Sequence, residues 1–576
     1  MRSPATAVLL ACLTLPGCDN GNMTDTDLDG GGDGGPLAGL QSLSISPANP
    51  TVTVSPGSPQ TLIFTVTGTF PSGTRDVTQH VQLSLQEIAL GSFSGATLTT
   101  TDSQGGKTLV VASAAAVTAQ TGLTVKISLR SSAANVPSGA QDLFDKAHDG
   151  TGPGPALVYP PSGVLLPPNL GELEVMWTDG VGNDLWELAI ENDITDIKIY
   201  TSQPRHRIAD AEWRVLAATN PEGQVAARVR GLVQASPTTS SRSGDISILF
   251  ARDTVRGGLY YWAATSDGGI IRYDFGKTGQ KAEAFFTKAD AGDCVACHAL
   301  SSDGTRMAVT FTGGDGAAGI LDVAKRTLTA NKTYYANFQV YTPDNKHLIT
   351  SSAGVLSVRD PVVGTELAQL DTGGKATMPD VSPDGSWLAF VRPTQHNSDW
   401  IFTGGNIVTA PLSGTALGQS QVLVQGSSAQ NNYYPAYSPD GKWIIFNRST
   451  GDSYSDDDAA LHVVSATGGA PLELVQANQG LDLRNSWARW SPFVQTYNGH
   501  KLLWLTFSST RDYGTALINS TQPTKQRNPQ LWMTAFDPDR AGAGQDPSFP
   551  AFWLPFQDMA TNNHIAQWTQ KVVAVE

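Results

Sequence analysis

The chain has 576 residues, only 15% of them charged, with 58 Gly, 34 Pro and 13 Trp. That length calls for three or four domains, and the mix favours turn-rich β structure over helical bundles or long disorder. A net charge of -15 excludes nucleic acid as a partner, because phosphate binding needs clustered Lys and Arg.

In chain order, Arg2 precedes the apolar run "ATAVLLACLTL", too short to span a bilayer, and then "LPGC". This resembles a bacterial lipoprotein signal over residues 1–18. The resemblance implies cleavage before Cys18, lipid on its thiol and new amino group, and a location in the cell envelope, facing the periplasm or the cell surface. The acidic, Gly-rich residues 19–39 cannot bury apolar surface and read as a flexible tether. Asp25, Asp27, Asp29 and Gly30 imitate the start of a calcium loop. The closing Glu is missing, since Pro36 stands there.

From 40 to 128, short alternating runs such as "TLIFTVTGTF" and "GLTVKISL" predict antiparallel strands. "GTFPSGTRDVTQHV" resembles the middle of a bacterial Ig-like domain of the group 2 type, a family that serves as spacers or adhesive modules. Residues 129–155 read as a linker with one short helix at 140–148. From 156 to 278, seven short strands with Trp177 and a late "YYW" resemble a fibronectin type III sandwich, although the last two strands could equally open the next domain.

Residues 279–576 form an internal repeat. Windows "CHALSSDG" at 297, "FQVYTPDN" at 338, "MPDVSPDG" at 378 and "YPAYSPDG" at 434 are followed by degenerate copies at 487 and 565. Each of the first four sets a strand before a tight turn, Pro-Asp-Gly in two of them and Ser-Asp-Gly or Pro-Asp-Asn in the others, and a second strand, such as "WLAFVR" or "WIIFNRS", after it. These repeats resemble the TolB-like and WD-type β-propeller family. The expected fold is therefore mainly β: two N-terminal β-sandwiches followed by a six-bladed propeller, closed by pairing the C-terminal strand with one before residue 290.

The first repeat also holds Cys294-Val295-Ala296-Cys297-His298, the C-x-x-C-H spacing that attaches a c-type haem. After signal removal these two cysteines and Cys18 are all the chain has, so the pair is not one bridge of a disulfide framework. The spacing assigns one covalent haem c, with thioethers at Cys294 and Cys297 and iron ligation by His298. A C-x-x-C redox disulfide lacks its usual βαβ setting, and zinc lacks a fourth ligand. Repeat alignment sets Cys297 level with Phe338, Met378, Tyr434, Trp487 and Ile565, a ring on the innermost strands around the channel. Met378, at the ring, and His564, one residue before it, are the candidates for the distal iron position, which could also stay open.

The carboxylates of "GDSYSDDDAA" (451–460) read as a solvated loop. No G-x-S-x-G, H-E-x-x-H or phosphate loop occurs. The leading function is a lipid-anchored electron carrier whose partners are redox or envelope proteins, rather than an enzyme. The alternatives are a TolB-like protein-binding module with structural or no haem, and a peroxidase-like haem enzyme.

Overall fold

A computed structural model describes residues 35–575 except 265–267, 278, 280, 314, 315, 331, 524 and 525. The lipoprotein signal with Cys18, the calcium-like Asp25–Gly30 run and most of the tether lie outside the described residues. The described chain is mainly β.

The first unit packs two three-stranded sheets and one end of an eleven-stranded sheet around Phe64, Val66, Leu98, Val110, Val125 and Ile127. Its last strand, Val117–Ser132, is longer than the sequence suggests. It pairs with Gly106–Ala114 in its own unit, then runs on parallel to Thr195–Thr201, with Ile127–Ser132 opposite Thr195–Tyr200. Residues 129–132, expected as the start of a linker, are therefore strand. Their polar composition reads as loop, but the free edge of Thr195–Thr201 supplies backbone partners that composition does not reveal.

The second unit sets the sheet Ala156–Tyr159, Leu173–Thr178 and Arg205–Ile208 against Leu185–Glu191 and its neighbours. A helix, Asp210–Thr219, interrupts a region expected to be all strand. Asp210 and Glu212 in its first turn favour the helix dipole. Trp213 buries its ring, and its indole N–H donates to the Pro168 carbonyl at 2.8 Å.

The remainder is a β-propeller. Among the described residues, six sheets of four or five strands each present one innermost strand. In ring order these strands are Asn563–Thr569, Val295–Leu300, Phe338–Tyr341, Thr377–Val381, Asn431–Tyr437 and Ser486–Trp490. Each touches the next, and the last touches the first. The first blade is closed by the chain's end: Asn563–Thr569 pairs with Gly258–Ala263, which pairs with Gly269–Asp274 and then Glu283–Thr287. The propeller thus starts near residue 258 rather than 279, and the two strands counted as the sandwich's last belong to it. Their alternation suits either sheet, and the deciding partner lies at the opposite end of the chain.

The recurrent turn has a physical basis. Ser301, Thr342, Ser382 and Ser438 each donate from the hydroxyl to the Asp two residues on, at 2.5–2.7 Å. The same hydroxyl accepts the amide five residues on, from Arg306, His347, Trp387 or Trp443. One side chain thereby satisfies the turn and sets the register of the strand pair.

The second unit docks on the sixth blade, sharing one core in which Tyr159, Trp177 and Trp213 join Trp504, Trp532 and Phe552. The Tyr159 hydroxyl accepts the Trp553 amide at 3.0 Å. The propeller is thus held on a broad base.

Candidate functional site

Five of the six innermost strands carry a β-bulge, two residues set against one on the partner. A bulge re-aims a side chain that a regular pleat would point elsewhere. In four of them the residue at the ring position takes a left-handed backbone: Met378 (φ 52°), Tyr434 (52°), Trp487 (60°) and Ile565 (51°). Such geometry is costly for a bulky or branched residue and persists only where packing over-determines it. Here the packing is mutual. Phe338, Met378, Tyr434, Trp487 and Ile565 fall in one cluster with Cys297. The rings of Tyr434 and Trp487 stack with centroids 4.0 Å apart, and the Met378 sulfur accepts the Tyr434 amide at 3.4 Å.

The blade bearing the pentapeptide differs in one detail. Elsewhere the ring residue and the one after it form the bulge, as in Met378-Pro379 or Tyr434-Pro435, where proline has no N–H to contribute to the ladder. In Val295–Leu300 the bulge lies one residue earlier, at Ala296-Cys297, and His298 is back in register opposite Val309. That shift aims Ala296 and Cys297 inward and His298 to the other side.

Inward lies a cavity of about 290 Å³. Its wall includes Cys297, Trp262, Phe338, Trp400, Trp487 and His564, with Tyr454, Arg484 and Arg527 also lining it. Burial pushes the Cys297 thiol up to about 12, so it is held as a neutral thiol. Burial, together with the charge of Arg484, lowers His564 to about 4. The His564 imidazole is therefore neutral, lies 5.9 Å from the Trp262 ring centre, and makes no hydrogen bond among the described residues.

His298 is 4% exposed and does not line this cavity. Its Nε2 lies 3.2 Å from the Tyr260 carbonyl oxygen and its Nδ1 3.4 Å from that of Ala296. Burial lowers it to about 4, so the ring is neutral and carries one proton; with that proton on Nε2 it donates to Tyr260. Cys294 is exposed and Cys297 half-buried, and both are free thiols. Met378 is 2% exposed in the ring and is not on the cavity wall. Of the five residues singled out by sequence, the structure brings Cys297 and His564 to one cavity and leaves Cys294, His298 and Met378 off its wall. Among the described residues no group of three His, Cys, Asp or Glu side chains could hold a metal ion.

Trp262, Trp400, Arg484 and Arg527 were not marked by the sequence. Trp400 lies in the stretch between Trp387–Arg392 and Asn406–Ser413, and Arg527 in that between His500–Ser509 and Gln530–Phe536. In the acidic loop, Asp452 accepts the amides of Tyr454 and Ser455, Asp458 takes the Thr450 hydroxyl, and Asp457 pairs with Arg484.

No family model matches the chain. A 140-residue stretch is 27% identical to a probable dipeptidyl-peptidase 5 of Aspergillus terreus, covering 23% of this chain and 19% of that one, so the match spans about a fifth of that relative's length. Among solved structures, Kuenenia stuttgartiensis hydrazine synthase is 15% identical, covering 45% of this chain and 74% of that one, with a TM-score of 0.29. An oligogalacturonate lyase in complex with manganese is 17% identical over 50% and 72%, with a TM-score of 0.30. Dihydro-heme d1 dehydrogenase NirN in complex with DHE is 11% identical over 44% and 51%, with a TM-score of 0.27. Scores this low bear on no shared activity, and the propeller rests on its own closed ring of blades.

Proposed function

We propose that the chain is an envelope protein, lipid-anchored through Cys18, that carries one covalently attached haem c on its propeller and moves single electrons. The observation that carries this reading is the meeting of the Cys297 thiol and the free His564 imidazole in one aromatic cavity on the innermost strands.

The cavity wall suits apolar ring faces and carboxylate edges, but its volume of about 290 Å³ is less than a whole haem fills. Trp262, Phe338, Trp400 and Trp487 offer apolar faces, and Arg484 and Arg527 offer guanidinium groups suited to carboxylates. His298 does not fit the role its spacing assigns, since it faces away and is tied to Tyr260. When bound, haem c supplies a one-electron couple. Cys294 and Cys297 would hold the group through their thiols, although only Cys297 reaches the cavity, and the aromatic wall would exclude water. The net charge of -15 favours a basic redox partner through long-range steering.

The test is expression in cells with c-type haem maturation, followed by absorption spectra of the purified protein. The wild type should show reduced c-type bands, and Cys294→Ala with Cys297→Ala should lose them; a colourless wild type would refute the reading. Labelling with a radioactive fatty acid tests the anchor, which Cys18→Ala should abolish.

A further inference from the structure

We propose that the cavity on the innermost strands binds a small carboxylic acid built on one flat apolar ring system, with Arg484 and Arg527 at its carboxylate. The site uses neither cysteine thiol, so it stands apart from the haem reading. Three observations carry it.

The first is charge. The chain has 52 Asp and Glu against 37 Lys and Arg, yet two arginines and no carboxylate line this wall among the described residues. Arg484 is countered by Asp457, which accepts from its Nε and Nη2. Arg527 pairs with no carboxylate among the described residues. It donates instead from Nη1 to the Asp482 carbonyl at 2.7 Å and from Nε to the Gln522 carbonyl at 3.3 Å. The bond to Asp482 brings it beside the segment that carries Arg484, and its Nη2 is left to spare. A surplus positive charge with a free guanidinium edge, set among aromatic rings, favours a carboxylate over a neutral or cationic group.

The second is shape. Trp262, Phe338 and Trp400 line the cavity, and Trp400 meets Tyr454 edge-on with centroids 4.9 Å apart. Trp487 is braced from behind by its stack on Tyr434. Such rings take a flat apolar body by stacking or edge contact. The volume of about 290 Å³ lies at the lower end of the roughly 300–1,000 Å³ of small-molecule sites, which restricts the occupant to a small body.

The third is unmet hydrogen bonding. Asn337 and Ser508, both on the wall and each 2% exposed, leave the Asn337 Nδ2 and the Ser508 hydroxyl without a partner. Buried polar groups are rarely left so, and a ligand oxygen supplies the acceptor that the chain does not. His564 adds a neutral imidazole, lowered to about 4 by burial and then by the Arg484 charge, whose N–H is a further donor.

The experiment is isothermal titration calorimetry on the full mature chain, with phenylacetate, 3-phenylpropionate and indole-3-acetate as probes. The amide of each acid keeps the ring and loses the charge, whereas propionate and inorganic phosphate keep a charge and lose the ring. At least one of the acids should bind once per chain, and its amide, propionate and phosphate should bind about tenfold more weakly or worse. Arg527→Gln should weaken the acid by about tenfold and leave its amide unchanged, while Trp400→Ala should weaken both, with circular dichroism as the control for folding. An amide or phosphate that binds as tightly as the acid would overturn the proposal. So would wild-type affinity in Arg527→Gln, or silence from every acid at millimolar concentration. Acid binding by a chain without covalent haem leaves this site standing and refutes the haem reading alone; a haem-bearing chain that binds no acid does the reverse.

Discussion

The Nε2 atom of His298 lies 3.2 Å from the carbonyl oxygen of Tyr260, tying the innermost strand of one blade to the second strand of the blade before it. A pentapeptide whose spacing suggests a cofactor ligand thus spends its histidine on an inter-blade contact. The contact has a stability signature. Replacing His298 by Ala should leave a void and remove the inter-blade hydrogen bond, costing roughly 2–4 kcal/mol. His564→Ala removes a cavity-lining ring without a hydrogen bond and should cost less than about 1 kcal/mol. Urea unfolding of the two variants measures the contrast, and equal losses would refute the contact.

The Ser-Pro-Asp-Gly turns should be worth testing singly. Ser438 donates to Asp440 at 2.7 Å and accepts the Trp443 amide at 3.0 Å. Ser438→Ala removes both and should lower stability by about 1–2 kcal/mol. Ser438→Thr keeps the hydroxyl and should lose much less. If the two substitutions are indistinguishable in chemical denaturation, the hydroxyl does not hold the turn.

Acid should weaken the fifth blade through His462. Burial, with help from Arg448, lowers this imidazole to about 4 from an ordinary 6.5. It packs on Phe446, with Glu473 opposite it on the next strand. The folded state keeps the ring neutral while the unfolded chain takes up a proton below pH 6.5, so stability falls as pH drops from 6.5 toward 4. Wild type should lose roughly 1–2 kcal/mol from this group between pH 7 and pH 5. His462→Gln should be less acid-sensitive by that amount, and an unchanged pH dependence would contradict the assignment.

Ala353 is exposed at a two-residue hairpin turn between Leu348–Ser352 and Val355–Arg359, with φ 51° followed by Gly354 at 79°. Such a turn favours Asn or Gly at its first position, since a left-handed backbone strains other residues. Ala353→Asn should raise the thermal midpoint, by about 0.5–1 kcal/mol of stability. A fall in the midpoint would count against the strain.

How much of this was legible depends on where the information sits. Four of the six blades could be read because Ser301, Thr342, Ser382 and Ser438 repeat one local hydrogen-bond pattern that sequence records directly, and the other two from degenerate copies of their first strands. The ring of Cys297, Phe338, Met378, Tyr434, Trp487 and Ile565 followed from counting back from that turn. The direction of His298 could not be read, because it depends on a bulge displaced by one residue in a single blade. Gly258–Asp274 suits either unit by its alternation, and its pairing with the chain's last strand, the closure expected before residue 290, decides for the propeller. The helix Asp210–Thr219 carried a signal, acidic residues followed by Ala and Leu, that the surrounding strands obscured. Trp400 and Arg527 reach the cavity from stretches between strands, where no periodicity announces a side chain's direction.

The central claim is that Cys294 and Cys297 are attachment points rather than idle thiols. Intact-mass and peptide-fragment spectrometry of the chain, matured in cells that attach c-type haem, tests it most directly. The account predicts a mass gain of one haem, carried by the peptide that contains Cys294 and Cys297. Two unmodified thiols on that peptide, in cells shown to load another c-type cytochrome, would contradict it.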